Sequence, residues 1–126
     1  MRYAVYITRA EHWSFEARER RPITEAEWRA YAETDAELRP LLTLPCFDFH
    51  TGKRVGDSPV EKTWEWIAHR QGVDSEKPRT FEYNRGGLIV RAPDAELLRK
   101  TVAVAGALEA RVIGDDERTI GDPTAG

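Results

Sequence analysis

The side chains that most often carry chemistry are scattered along this sequence. Three histidines, His12, His50 and His69, lie in or beside segments expected to be loops and lack a ligand spacing such as HExxH. They are expected to be solvated, and no metal site follows from them. Cys46 is the sole cysteine, so it makes no internal disulfide and has no second thiol for a zinc or redox pair. The expectation for it is a small buried hydrophobe. His50 stands four residues away around a strand end, a placement that guarantees neither an exposed thiol nor an aligned base. Ser14, Ser58 and Ser75 lack the surroundings of a nucleophile elbow, and the glycines form neither of the two common phosphate-cradling patterns between a strand and a helix. Asp115, Asp116 and Glu117 crowd one expected turn, where adjacent carboxylates are solvated rather than set across a cleft. The spaced oxygen ligands of a calcium loop are missing there. No catalytic residue and no cofactor is read from the chain.

Residues suited to binding are more concentrated. Arg18-Glu19-Arg20-Arg21 is the densest basic segment, although its acidic member weakens any path for a nucleic-acid backbone. Four tryptophans stand out. Trp28 is accounted for by a helix start, whereas Trp13, Trp64 and Trp66 exceed what a small sheet face needs, and buried Trp is a frequent anchor of protein interfaces.

The elements that must position these residues follow from local patterns. Arg2 to Thr8 alternates in the two-residue period of a strand. Arg9 to Pro22 is a polar connection with Trp13 and Phe15 as its aromatic anchors. Thr24 and Glu27 have the spacing of a reciprocal capping box, and Ile23 and Trp28 that of the accompanying hydrophobic staple. The helix that follows carries Trp28, Tyr31, Ala32 and Leu38 on one stripe and closes at Pro40. Leu41 to Phe49 is either an edge strand or a strand beginning after Pro45. His50 to Pro59 reads as turn and loop, Thr63 to Ala68 as a strand with Trp64 and Trp66 on one face, and His69 to Arg79 as a polar excursion. Thr80–Tyr83 and Leu88–Arg91 flank Asn84-Arg85-Gly86-Gly87 in the clearest hairpin. Pro93, Asp94 and Glu96 start a second helix with Leu97, Leu98, Thr101, Val102, Ala105 and Leu108 inward, and Ala110 to Ile113 forms a last strand.

Helices with one apolar stripe and strands with one apolar face resolve as α+β: a mostly antiparallel sheet of five or six strands covered on one face by two helices. At 126 residues one domain is expected, residues 1–120, with a loose tail at 121–126. The sequence is 40% hydrophobic and 33% charged, an ordinary globular composition. Its formal charge of -3 offers no global attraction to nucleic acid or to an anionic membrane. No apolar run reaches a bilayer span and the opening segment turns polar before it makes a secretion signal, so a cytoplasmic location is expected.

Three separated pieces, Tyr6-Ile7-Thr8-Arg9-Ala10-Glu11-His12-Trp13, Ile23-Thr24-Glu25-Ala26-Glu27-Trp28 and Leu108-Glu109-Ala110-Arg111-Val112-Ile113-Gly114-Asp115-Asp116, frame most of the chain. Together they resemble a family of small, uncharacterised bacterial cytoplasmic proteins. The resemblance implies a compact α+β domain and accessory or immunity-type protein binding, with no catalytic residue or cofactor attached. Where the family's closing acidic pair is usually followed by glycine, this chain has Glu117.

The function expected is therefore a noncatalytic protein-binding domain. Trp13, Trp64 and Trp66 are its expected apolar anchors, and Arg20, Arg21, Asp115 and Asp116 orient a charged partner. The alternative is a small-ligand binder or enzyme with a pocket between the sheet and the 9–22 loop. A homodimer pairing its own aromatic face is a third.

Overall fold

A computed structural model describes residues 4–67, 79–91 and 93–115 in full and the backbone of 119–121. Seven strands and three helices run in the order β1 (Ala4–Thr8), α1 (Phe15–Arg20), α2 (Glu25–Thr34), β2 (Leu38–Phe47), β3 (Arg54–Trp66), β4 (Thr80–Asn84), β5 (Gly87–Arg91), α3 (Ala95–Ala107), β6 (Arg111–Gly114) and β7 (Thr119–Gly121). One sheet holds all seven strands in the order β2-β3-β4-β5-β1-β6-β7, and every pairing is antiparallel. The α+β class is as the periodicities predict, and α1 and β7 are additions to the expected inventory. Taken without α1, β2, β3 and β7, the chain follows a β-α-β-β-α-β path with strand order β4-β5-β1-β6, a split β-α-β arrangement. The β2–β3 hairpin is inserted between α2 and β4.

Alternation decides which face is buried. Val5, Ile7, Leu88, Val90, Phe81 and Val112 share one sheet face and pack with Ile23, Trp28 and Ala32 from α2 and its entry and with Leu97, Val104 and Ala105 from α3. Burying side chains of this size stabilises by about 1.5–3 kcal/mol each relative to exposure, so this layer dominates folding. The capping box forms as its spacing predicts: Thr24 Oγ1 accepts from the Glu27 amide at 3.1 Å, and Glu27 accepts from the Thr24 amide at 3.1 Å. Arg9 then ties three elements together. Its guanidinium donates to both Glu27 carboxylate oxygens and to the Leu108 carbonyl at the end of α3. Hydrogen bonds from Arg9 first, and from the Thr24 amide second, hold the Glu27 carboxyl at about 2.

Several expected boundaries move. Leu38 belongs to β2 rather than to the α2 stripe, because α2 ends at Thr34 and Asp35 turns the chain. Val104, not Val102, faces the core from α3: Val104 is fully buried and Val102 exposed. Arg54 to Pro59, expected as turn and loop, lie in β3, and only the stretch before them forms the tip turn. Cys46 is exposed on β2, since an edge strand has a side with no neighbouring layer to bury it. Phe15 opens α1 and is exposed, so of the two aromatics in the first connection only Trp13 anchors. The expected hairpin turn forms at Arg85-Gly86, both with positive φ, which is the geometry a two-residue turn requires. Of the predicted polar excursion only Arg79 falls within the described residues, and Asp116, His69 and residues 122–126 fall outside them.

Candidate interaction surface

The predicted anchor tryptophans divide between two faces. Trp13 stacks on Tyr6 at 4.5 Å between ring centroids, with the Arg18 guanidinium 3.9 Å above it. Tyr6 and Gly87 point away from the helix-covered face, and a Cβ at Gly87 would collide with the Trp13 ring. Glycine at that position is what lets the indole lie flat on the sheet. Trp64 and Trp66 alternate onto the opposite face, where Trp64 meets Trp28 edge-on at 6.3 Å and the Trp66 indole donates to Glu37 at 3.1 Å. All three tryptophans are half-buried.

The predicted charges are also apart. Arg20 and Arg21 are exposed at the end of α1, and Arg18 of the same segment is buried, donating to the Asn84 carbonyl and side chain. Burial first, and the Arg85 charge second, pull the Arg18 guanidinium below its ordinary value. Asp115 is spent on β1, accepting from the Ala4 amide at 3.1 Å and the Tyr6 hydroxyl at 2.9 Å. A hollow of about 400 Å³ does lie between the first connection and the β4–β5 turn, bordered by Phe15, Arg18, Glu19, Pro22, Arg85 and Gly86. No histidine lines it, and its innermost cation already donates to the protein's own carbonyls. His12 and His50 are exposed. Among the described residues no group of three or more His, Cys, Asp or Glu side chains is arranged to hold a metal ion.

Two other regions were not singled out by the sequence. The first is a polar lock where α2, α3 and the root of β2 converge. Lys100 Nζ lies 2.8 Å from an Asp35 carboxylate oxygen and 2.7 Å from Glu37 Oε1, and the Tyr31 hydroxyl donates to the same Asp35 oxygen at 2.6 Å. The side chains of Lys100 and Asp35 are only 12% and 11% exposed. Burial opposes the charge on both, but the mutual hydrogen bonds prevail, lowering Asp35 and raising Lys100 from their ordinary values. Burial, aided by Asp35, pushes the Tyr31 hydroxyl well above the ordinary tyrosine range.

The second region is the β2–β3 arm. β3 pairs with β4 only through Thr63, Trp64 and Glu65, so its outer half pairs with β2 alone as a two-stranded ribbon. The register slips between Leu41 and Thr43, where Val60, Glu61 and Lys62 bulge and Lys62 takes a positive φ of 56°. Asp48 shapes the tip, accepting the amides of His50 and Thr51. Five large hydrophobic side chains are exposed among the described residues, and three are here: Leu42 at 76%, Val55 at 65% and Phe49 at 96%. Between the bulge and α2 a groove of about 730 Å³ opens, walled by Ala32, Leu38, Pro40, Leu42, Val60 and Trp64, with Glu33 and Glu61 among its polar members.

The outer edge of β2 is blunted at the base of this arm. Trp66 donates its amide to Arg79 on the β4 side, so by alternation Trp64 does the same and Pro40 opposite it turns its nitrogen outward. A proline at such an outward position hinders pairing with another sheet there. Further out, the arm offers the exposed side chains of Leu42, Val55 and Phe49. Sequence signals for it existed in Leu41-Leu42, which breaks strand alternation, and in Phe49 beside a His-Thr-Gly turn, but both are ambiguous without the partner strand. Comparison of the chain with family models, with curated proteins and with solved structures finds no match.

Proposed function

We propose that this chain is a noncatalytic protein-binding domain of accessory or immunity type that presents the β2–β3 arm and the groove at its base to a protein partner. The carrying observation is the concentration of exposed Leu42, Val55 and Phe49 on one projecting ribbon. Isolated exposed apolar residues are ordinary, but three on a narrow arm beside an apolar groove are what an interface core uses. In this reading Trp64 contributes as a groove wall and Trp13 supports the opposite face. Arg20 and Arg21, at the end of α1, take no part in the primary contact.

The test is capture from a lysate of the source organism on immobilised native protein and on a Leu42→Ser, Phe49→Ser variant whose circular dichroism is unchanged. A stoichiometric protein held by the native form and lost by the variant is the expected result. Equal retention by both forms overturns the assignment of the arm, as does no retention by either form when the native chain is also monomeric.

A further inference from the structure

We infer that the groove at the base of the arm receives the tip of the same arm from a second copy of the chain, in a reciprocal two-fold dimer. This rests on the reading of the arm as a binding surface and names its occupant. Three observations carry it. The tip presents Phe49, almost wholly exposed, and within the same turn Lys53, whose ammonium has no partner among the described residues. The groove presents an apolar wall from Leu38, Leu42 and Trp64 with two carboxylates, Glu33 and Glu61, that likewise have none. Its cations are occupied: Arg29 and Lys62 both pair with Glu25. An aromatic ring with an unpaired cation beside it thus matches an apolar slot with unpaired anions.

The third observation is self-complementarity. Tip and groove lie at the two ends of one ribbon, and β2 from Leu42 to Phe47 spans roughly 17 Å at strand rise before the turn that carries Phe49. Two such arms laid antiparallel place each tip at the other's base in a single operation, the condition for a closed isologous contact. Neither arm needs to add a strand to the other, consistent with the prolines that occupy β2. A two-fold that seats each tip at the other copy's base passes near the middle of the outer half of β2, where Cys46 lies. Cys46 is exposed and is the only cysteine, so it reports on that axis without engineering.

The experiment is sedimentation of the native chain over a concentration series, with a short bismaleimide cross-linker applied to Cys46 under the same conditions. A dimer that cross-links through Cys46 is expected. Phe49→Ser should weaken it at least about tenfold, as for an interface anchor. Lys53→Glu should also weaken it, and combining that change with Glu33→Lys and Glu61→Lys should restore it, which loss of folding would not do. A dimer indifferent to Phe49→Ser, or one that fails to cross-link, overturns the inference. So does a monomer at every concentration. A monomer that still captures a different protein through its arm overturns the inference alone, whereas one that captures nothing overturns the protein-binding reading with it.

Discussion

The polar lock around Lys100 and the β2–β3 arm are joined by the same strand, β2, yet they are built on opposite terms. In the lock, one ammonium, two carboxylates, a phenol and an indole are brought together, and each meets a partner within the molecule. In the arm, a few residues further along, Leu42, Val55 and Phe49 face solvent and Lys53 has no partner among the described residues. Polar clusters that satisfy themselves contribute order to a fold and leave little to offer a ligand. Apolar groups held out of the core cost the fold some burial, a cost that a binding partner offsets. The contrast teaches that density of reactive side chains is a poor guide here, and that lack of internal partners is the better one.

Lock and arm should respond differently to four changes. The largest effect is expected in the lock: Lys100→Ala leaves the poorly exposed Asp35 carboxylate without its counter-charge, at a cost of about 3 kcal/mol in denaturant unfolding. A loss below about 0.5 kcal/mol would make the lock as dispensable as a surface pair.

Acid should act on the same site. Asp35 and Glu37 titrate below their ordinary values of 3.8 and 4.5 in the folded protein, so the unfolded chain binds protons first as pH falls. Their contribution is therefore complete above those ordinary values and is lost as pH drops through the lowered folded ones. The stability gap between the native chain and Lys100→Met, measured by urea unfolding from pH 7 to pH 2, should narrow over that acid range. A gap constant with pH would show that the loss came from packing and not from charge.

Trp66→Phe keeps the ring's packing and removes the indole donor to Glu37, and about 1 kcal/mol of destabilisation is expected from thermal unfolding. Phe49→Ser should have the smallest effect on stability, within about 0.5 kcal/mol, because its ring has almost no burial to lose. A substantial fall in melting temperature for the isolated monomer would place Phe49 in the fold rather than on a binding surface.

Local chemistry made much of this molecule legible. Thr24 with Glu27 announced a helix start three residues apart, Asn84-Arg85-Gly86-Gly87 a hairpin turn, and Pro93, Asp94 and Glu96 the start of α3, where the Asp94 side chain accepts from the Leu97 amide. Alternation in β1 and around Trp64 and Trp66 assigned faces correctly, because side-chain direction in a strand depends only on parity. The α+β class followed from such signals taken together.

What the sequence alone determined was thus the local preference of each segment: where helices begin, which strand residues share a face, and how the β4–β5 turn closes. Tertiary structure alone decided which faces meet. Trp13 and Trp64 have similar character in the sequence, but the register of β1 with β5 and of β3 with β4 sends them to opposite sides of the sheet. Lys100 lies more than sixty residues from Asp35 and Glu37, and only the packing of α3 against the root of β2 brings their charges together. The exposure of Cys46 likewise depends on β2 being the outermost strand, and that of Phe49 on its place in the turn beyond it. Preferences within a turn or a strand are short-range and written in adjacent residues, whereas burial and charge pairing depend on distances that exist only once the chain has closed on itself.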